Sequence, residues 1–218
     1  MQHRSAPPGR GRTLRRAVRR GFLPRGRRRS DSGAALIEAA LILPVLMVFL
    51  LGIIEFGLVY ATAATATGSS RSGARLAATS YAPAGTNSTA QRTAADGVAA
   101  AVTADLKSLS SAVPVGMTLY KVNSATTDGA PTGGFPGDNM AGGCSSNCFR
   151  YTWNAGTKAM VYSSGGWATP DACGTTVDSI GVFVQVKHNY LTKLIGSYRY
   201  VDGHTVMRLE PLPTDQCS

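Results

Sequence analysis

The chain has 218 residues, of which 44% are apolar and 16% are charged, and its formal net charge at pH 7 is +10. This length fits one domain with or without an appendage, and the apolar fraction excludes disorder over the whole chain. The charge is not spread over the sequence. Residues 1–30 hold eleven Arg and no acid, whereas residues 34–218 hold eleven basic and eleven acidic residues. The excess therefore belongs to the N-terminal arm, and it does not indicate a face that binds nucleic acid.

The arm, residues 1–33, is also rich in Gly and Pro. Such a composition cannot form a packed core, so we predict a disordered basic leader.

An apolar segment follows directly. Residues 34–61 contain two charges, Glu38 and Glu55, and the run from Ala39 to Ile54 has none over 16 residues. Because about 20 helical residues span the hydrocarbon core of a bilayer, residues 34–61 are predicted to form one transmembrane helix. The Arg cluster on one side places the N-terminus in the cytoplasm and the C-terminal domain outside the cell membrane.

Three interpretations of this segment compete. The segment is either a secretory signal peptide cut near residues 61–63, or a twin-arginine signal around Arg19 and Arg20, or a retained N-terminal anchor. The apolar run is long for a signal peptide, and Pro24 and four more Arg follow the Arg pair before any apolar residue run. These features favour the retained anchor.

The junction between arm and helix, residues 27–44, reads RRRSDSGAALIEAALILP. A basic leader ends at Gly33, and Glu38 is the fifth residue after it. This string resembles the processing site of type IV pilins and pseudopilins. Over residues 26–80 the chain is most similar to the TadE-like proteins of tight-adherence (Flp-type) pilus assembly, with GIIEFG at residues 52–57 as a second shared patch.

The resemblance implies that a prepilin peptidase cleaves after Gly33 and leaves Ala34 as the new N-terminus. It also implies that Glu38 pairs with the N-terminal amine of a neighbouring subunit. A carboxylate at membrane depth costs about 3 kcal/mol or more, which fits a residue with a partner. The alternative for Glu38 is a position among the lipid headgroups beside the Arg cluster. The implied partners are the prepilin peptidase, the inner-membrane assembly platform, other pilin-like subunits and membrane lipid.

Glu55 is 17 residues beyond Glu38, about 100° around the helix, so the two do not share a face. We predict that Glu55 lies near the outer interface with a structural or helix-pairing role.

Residues 62–85 are predicted to continue the helix as a stalk, with a flexible linker as the alternative. Residues 86–218 are predicted to form an extracytoplasmic domain. Residues 88–91 read as a capping box that opens an amphipathic helix over 89–112, which Pro114 ends. Alternation of apolar residues predicts strands near 115–119 and at 148–153, 159–162 and 180–190, and residues 123–147 form a long loop.

Asp202 and Gly203 predict a two-residue hairpin turn between strands at 198–201 and 204–209. The fold class is α+β: one transmembrane helix continuing into a stalk, then a second helix packed on a small antiparallel sheet.

The four cysteines all fall on the predicted outer side, where disulfides form: Cys144, Cys148, Cys173 and Cys217. They indicate two bridges whose connectivity stays open. A zinc site is the rival, but there is no second close Cys pair and no His near them.

The sequence shows no nucleophile motif, phosphate loop or marked carboxylate pair. His188, on an apolar strand face, is interpreted as a structural residue. We therefore expect a protein that is not an enzyme and needs no cofactor or metal. Two functions remain: a pilin-like protein in pilus assembly, or a secreted or signal-anchored binding protein unrelated to pili.

Overall fold

The structure, a computed structural model, describes residues 31–167, 169–173, 177–193 and 196–217. The predicted leader, apart from its last three residues, lies outside this range. The chain divides into two units between Val45 and Leu46.

Helix α1 spans Asp31–Ser80 and carries Pro44 inside it. In the first unit the described side chains, from Gly33 to Val45, are all exposed to solvent. The region Gly33–Ala84 is a helix long and apolar enough to cross a membrane. The prediction of a membrane-capable N-terminal helix is confirmed.

The second unit contains a five-stranded antiparallel sheet. Its strands are β1 (Ala112–Lys121), β2 (Cys148–Asn154), β3 (Ala159–Gly166), β4 (Ser179–Asn189) and β5 (Tyr198–Arg208). They are arranged in the order β3-β2-β1-β4-β5. Every neighbouring pair is antiparallel. The α+β class is confirmed, and the strands predicted at 148–153, 159–162 and 180–190 are present.

The hairpin predicted at Asp202 and Gly203 is wrong, because β5 runs through both residues and pairs with β4 along its whole length. A Cβ at Gly203 would lie 2.6 Å from the backbone N of Thr67 and 2.7 Å from the carbonyl C of Ala66. The glycine therefore serves the close approach of α1 to the strand and does not mark a turn.

The second helix, α2, spans Ser88–Leu106, and its predicted bounds are corrected at both ends. The N-cap is Asn87, whose side chain accepts hydrogen bonds from the backbone N–H groups of Thr89 and Ala90 at 3.0 Å. At the other end the chain enters β1 at Ala112. Pro114 lies within this central strand, next to a shift in the pairing register. A bulge is where a strand tolerates a proline.

The main core lies between one face of the sheet and the two helices. The opposite face is covered by the long loop 122–147, through Phe135 and Met140 packed against Tyr120 and Phe183. Helix α1 runs along β5 in the same chain direction, as three contacts in sequence order show: Ala66 with Gly203, Ser70 with Thr205, and Ala78 with Glu210. Small buried residues on α1 permit this close packing, among them Ala66, Ala74, Ala77 and Ala78.

Candidate functional site

The predicted processing segment lies at the start of α1, within the first unit. Gly33, Ala34 and Glu38 are helical and exposed. A Cβ at Gly33 would meet no atom within 4 Å. Within the described part of the chain the Glu38 carboxylate forms no ion pair; the pairs found there join Arg92 to Asp96 and Lys121 to Asp178. No other part of the described chain therefore covers these residues.

Glu55, the second acid of the apolar helix, is held inside the second unit. Its side chain is only 1% exposed. Its Oε1 accepts hydrogen bonds from the backbone N–H of Thr192 at 3.2 Å and from the Thr192 hydroxyl at 3.4 Å. Its Oε2 has no hydrogen-bond partner among the described residues. A cavity of about 150 Å³ lies beside it, lined by Phe56, Val59, Tyr190 and Arg199 as well.

His188 forms a second buried polar contact between α1 and the sheet. The side chain is fully buried on β4, and its Nδ1 lies 3.0 Å from the hydroxyl oxygen of Thr62. That hydroxyl donates its hydrogen to the carbonyl oxygen of Leu58 at 2.9 Å. A hydroxyl has one hydrogen, so His188 Nδ1–H is the donor to Thr62 and Nε2 is the bare acceptor. Nε2 has no partner among the described residues.

Burial lowers the pKa of His188, and the negative charge of Glu55 acts in the opposite direction. The neutral ring is thus the form that the folded chain favours. We name Glu55, Thr62, His188 and Thr192 the polar latch, because they tie α1 to β4 and to the connection that follows it. The sequence marked Glu55 and His188 separately, but it did not predict that both lie in one buried cluster.

The latch predicts a pH dependence of stability. The unfolded chain protonates His188 near its ordinary pKa of 6.5, whereas the folded chain binds this proton only at lower pH. The free energy of unfolding contributed by the neutral ring is therefore intact above pH 6.5 and declines as the pH falls below it. In thermal unfolding, the stability lost between pH 7 and pH 5 should be smaller in His188→Gln than in the wild type. His204→Gln, a change at an exposed histidine, is the control; an unchanged loss in His188→Gln would contradict the assignment.

The structure pairs the four cysteines as Cys144–Cys148 and Cys173–Cys217. The first bridge closes the end of the long loop at the start of β2. The second joins the segment before β4 to the C-terminal segment after β5. The connectivity that the sequence left open is thus one local and one long-range bridge. Among the described residues no group of three or more His, Cys, Asp or Glu is placed to hold a metal ion.

These features define a class of protein: one membrane-capable N-terminal helix carries, exposed, the residues predicted for processing and assembly, and its second half forms part of an α+β domain. Residues 33–75 match the family model described as TadE-like protein. The resemblance seen in the sequence is confirmed over this segment, which begins at Gly33 and includes Glu38 and Glu55. TadE-like proteins are a pilus-related family. No curated protein and no solved structure matches the chain.

Proposed function

We propose that this chain is a non-enzymatic, membrane-anchored pilin-like protein, a pseudopilin, that acts in the assembly of a tight-adherence type surface pilus. The observation that carries the proposal is the TadE-like match, which starts at the proposed cleavage residue Gly33 and takes in Glu38. The basic leader holds the N-terminus in the cytoplasm during insertion. A prepilin peptidase then removes it after Gly33, and the C-terminal domain lies outside the membrane.

Assembly in this proposal depends on charge pairing inside an apolar medium. Ala34 and Glu38 are four residues apart, one turn of helix, so the new amine and the carboxylate lie on the same face. In hydrocarbon an unpaired carboxylate is costly, whereas pairing with the amine of a neighbouring subunit removes much of that cost. The requirement for a partner thus selects the depth and register at which two helices meet.

The exposed apolar surface of α1 supports the same proposal. Its large side chains from Leu36 to Ile54 are between 40% and 71% exposed. A helix that is apolar all round and not covered by its own chain requires lipid or other helices around it. The assembly platform and other pilin-like subunits would supply such helices. The polar latch would then keep the outer domain fixed on the anchor while the anchor changes neighbours.

Glu38→Gln tests the pairing role. The amide keeps the size of the side chain but cannot form an ion pair with an amine, so we expect surface pili to fall at least about tenfold while the protein stays in the membrane. The measurement is the amount of sheared surface pilus per cell, set against the amount of the chain in the membrane fraction.

Two matched variants accompany this test. Glu38→Asp keeps the charge and should restore a substantial part of assembly. Glu210→Gln removes an exposed carboxylate elsewhere and should change nothing. Normal piliation in Glu38→Gln would show that this carboxylate does not guide assembly.

A further inference from the structure

The balance of charged side chains in the second unit differs between the two ends of the sheet. We call the end where β4 finishes and β5 begins the proximal end, because Glu55 of α1 contacts Thr192 there. The opposite end, where β4 begins and β5 finishes, is the distal end, near the last turn of α1. The exposed apolar part of α1, Leu46–Ile54, therefore leaves the domain at the proximal end.

Five cations lie at the proximal end. The strand register places them there. Ala112, the first residue of β1, pairs with His188 near the end of β4. Thr152, near the end of β2, pairs with Gly116 of β1, and Gly116 also pairs with Gln185 of β4. The end of α2, the β2–β3 turn and the β4–β5 connection therefore meet at this edge. They carry Lys107, Lys158, Lys187, Lys193 and Arg199, of which all but Lys187 are exposed.

The acids are placed differently. Five lie around the distal end: Asp128, Asp171, Asp178, Glu210 and Asp215. The strand register places two cations there as well, Arg208 and Lys121, and Lys121 is ion-paired with Asp178 at 2.7 Å, so the distal end is acidic in balance. Near the proximal end, Glu55 is buried in the latch and Asp105 accepts a hydrogen bond from Ser72 at 2.7 Å. Two exposed acids lie further from the edge, both near Gln185: Asp202 on β5, and Asp138 in the long loop between Gly137 and Met140, which bond to the Gln185 side chain. Of the described residues, those at the proximal edge are thus predominantly basic.

The proximal end also exposes aromatic and apolar side chains. Phe56 and Tyr60 on α1 are 71% and 77% exposed, and Leu191 after β4 is 65% exposed. Tyr198 is half-exposed, and the ammonium of Lys187 lies 3.8 Å from the centre of its ring. Aromatic rings beside long basic side chains are typical of the boundary between a membrane and water.

We propose that the proximal end binds the anionic phosphate headgroups of the bilayer that holds α1. The five cations supply the charge, and Tyr60, Leu191 and Tyr198 supply the apolar contacts at headgroup depth. Each Lys or Arg near an anionic surface adds to the attraction, which salt weakens. The acidic distal end of a second copy fits this basic edge less well than the headgroups do. A copy anchored in the same membrane holds its own distal end away from the bilayer, so that end does not meet the proximal end of its neighbour. The inference rests on the membrane anchoring in the proposed function and not on the pilus role.

Docking would fix the orientation of the outer domain on the membrane. The latch joins the β4–β5 connection to Glu55, immediately after the apolar stretch Leu46–Ile54, so this part of the cationic edge is held beside the end of that stretch. A subunit held in this way would present its acidic distal end to the outside. Its release into a filament would require the headgroup contacts to break.

The test uses the full chain in nanodiscs that hold one copy each, made of phosphatidylcholine alone or with phosphatidylglycerol. Hydrogen exchange of the backbone amides is followed at residues 187–193 and 196–200. We expect exchange to be about tenfold slower in the anionic discs at low salt, with the difference lost at high salt. The double variant Lys158→Gln/Lys193→Gln should lose most of this protection.

Arg71→Gln/Arg75→Gln is the matched control, because it removes two exposed cations from the C-terminal part of α1, away from the proximal end. Equal protection in neutral and anionic discs, or an equal loss in the control variant, would overturn the proposal. Protection that appears only when a disc holds two copies would assign the edge to a protein contact instead. Carbonate extraction, measured in parallel, distinguishes a failure of the membrane anchoring from a failure of the docking. A chain that is extracted would refute the anchoring itself. A chain that stays inserted but shows no effect of lipid charge would refute the docking alone.

Discussion

Gly203→Ala is expected to lower the free energy of unfolding by about 3 kcal/mol, because the added methyl overpacks the contact between α1 and β5. The new Cβ would lie 2.6 to 2.8 Å from backbone atoms of Ala66 and Thr67. These atoms belong to a helix whose neighbouring side chains are buried, so they cannot move without opening the core. The whole helix must shift away from the sheet.

The measurement is thermal unfolding of the full chain in detergent, followed by the near-ultraviolet circular dichroism of the buried aromatic residues. Tyr81 and Trp167 are stacked in the core with ring centres 4.9 Å apart, so their signal reports the packing that the substitution disturbs. Gly97→Ala is the control. A Cβ there meets nothing within 4 Å, and alanine favours the helix by about 0.5–1 kcal/mol. If both variants unfolded at the same temperature, the close approach at Gly203 would not be a determinant of the fold.

Local patterns predicted the elements whose signals are local. The uncharged run from Ala39 to Ile54 predicted a membrane-capable helix, and the alternation from Ile180 to His188 predicted β4. Membrane insertion requires an uninterrupted apolar run about 20 residues long, and burial of one strand face requires an apolar residue at every second position. The four cysteines likewise predicted two bridges but not their pairing, since pairing depends on distances between segments far apart in the chain.

Local patterns mislead where a residue serves a distant contact. Gly203 follows Asp202 as in a hairpin turn, yet its lack of a side chain accommodates α1, which lies more than a hundred residues earlier. The polar latch is of the same kind, because Glu55 meets Thr192 and Thr62 meets His188 across the sequence. Helix α2 starts one residue before its predicted start at residue 89. Asn87, which directly precedes the predicted capping box, is itself a strong N-cap residue and takes that position.

Leader removal is expected to change the formal net charge of the protein from +10 to zero. Residues 1–33 contain eleven Arg and one acid, Asp31, so cleavage after Gly33 removes a net charge of +10 and leaves side chains that sum to zero. Isoelectric focusing should therefore shift the protein from a pI near 9.8 toward neutrality. Gly33→Val adds a branched side chain at the cleaved bond and should keep the basic form. Ala40→Val, a similar change seven residues further on, should be processed normally.

The central claim is that this chain is processed and inserted as a pilin-like protein. Its most direct test is the N-terminal residue of the protein isolated from cell membranes, determined by mass spectrometry of the terminal peptide. We expect Ala34 at the N-terminus, with the apolar helix intact. A start near Ala64 would show removal of a signal peptide, and an intact N-terminus at Met1 would show a simple anchor. Either result would contradict the account.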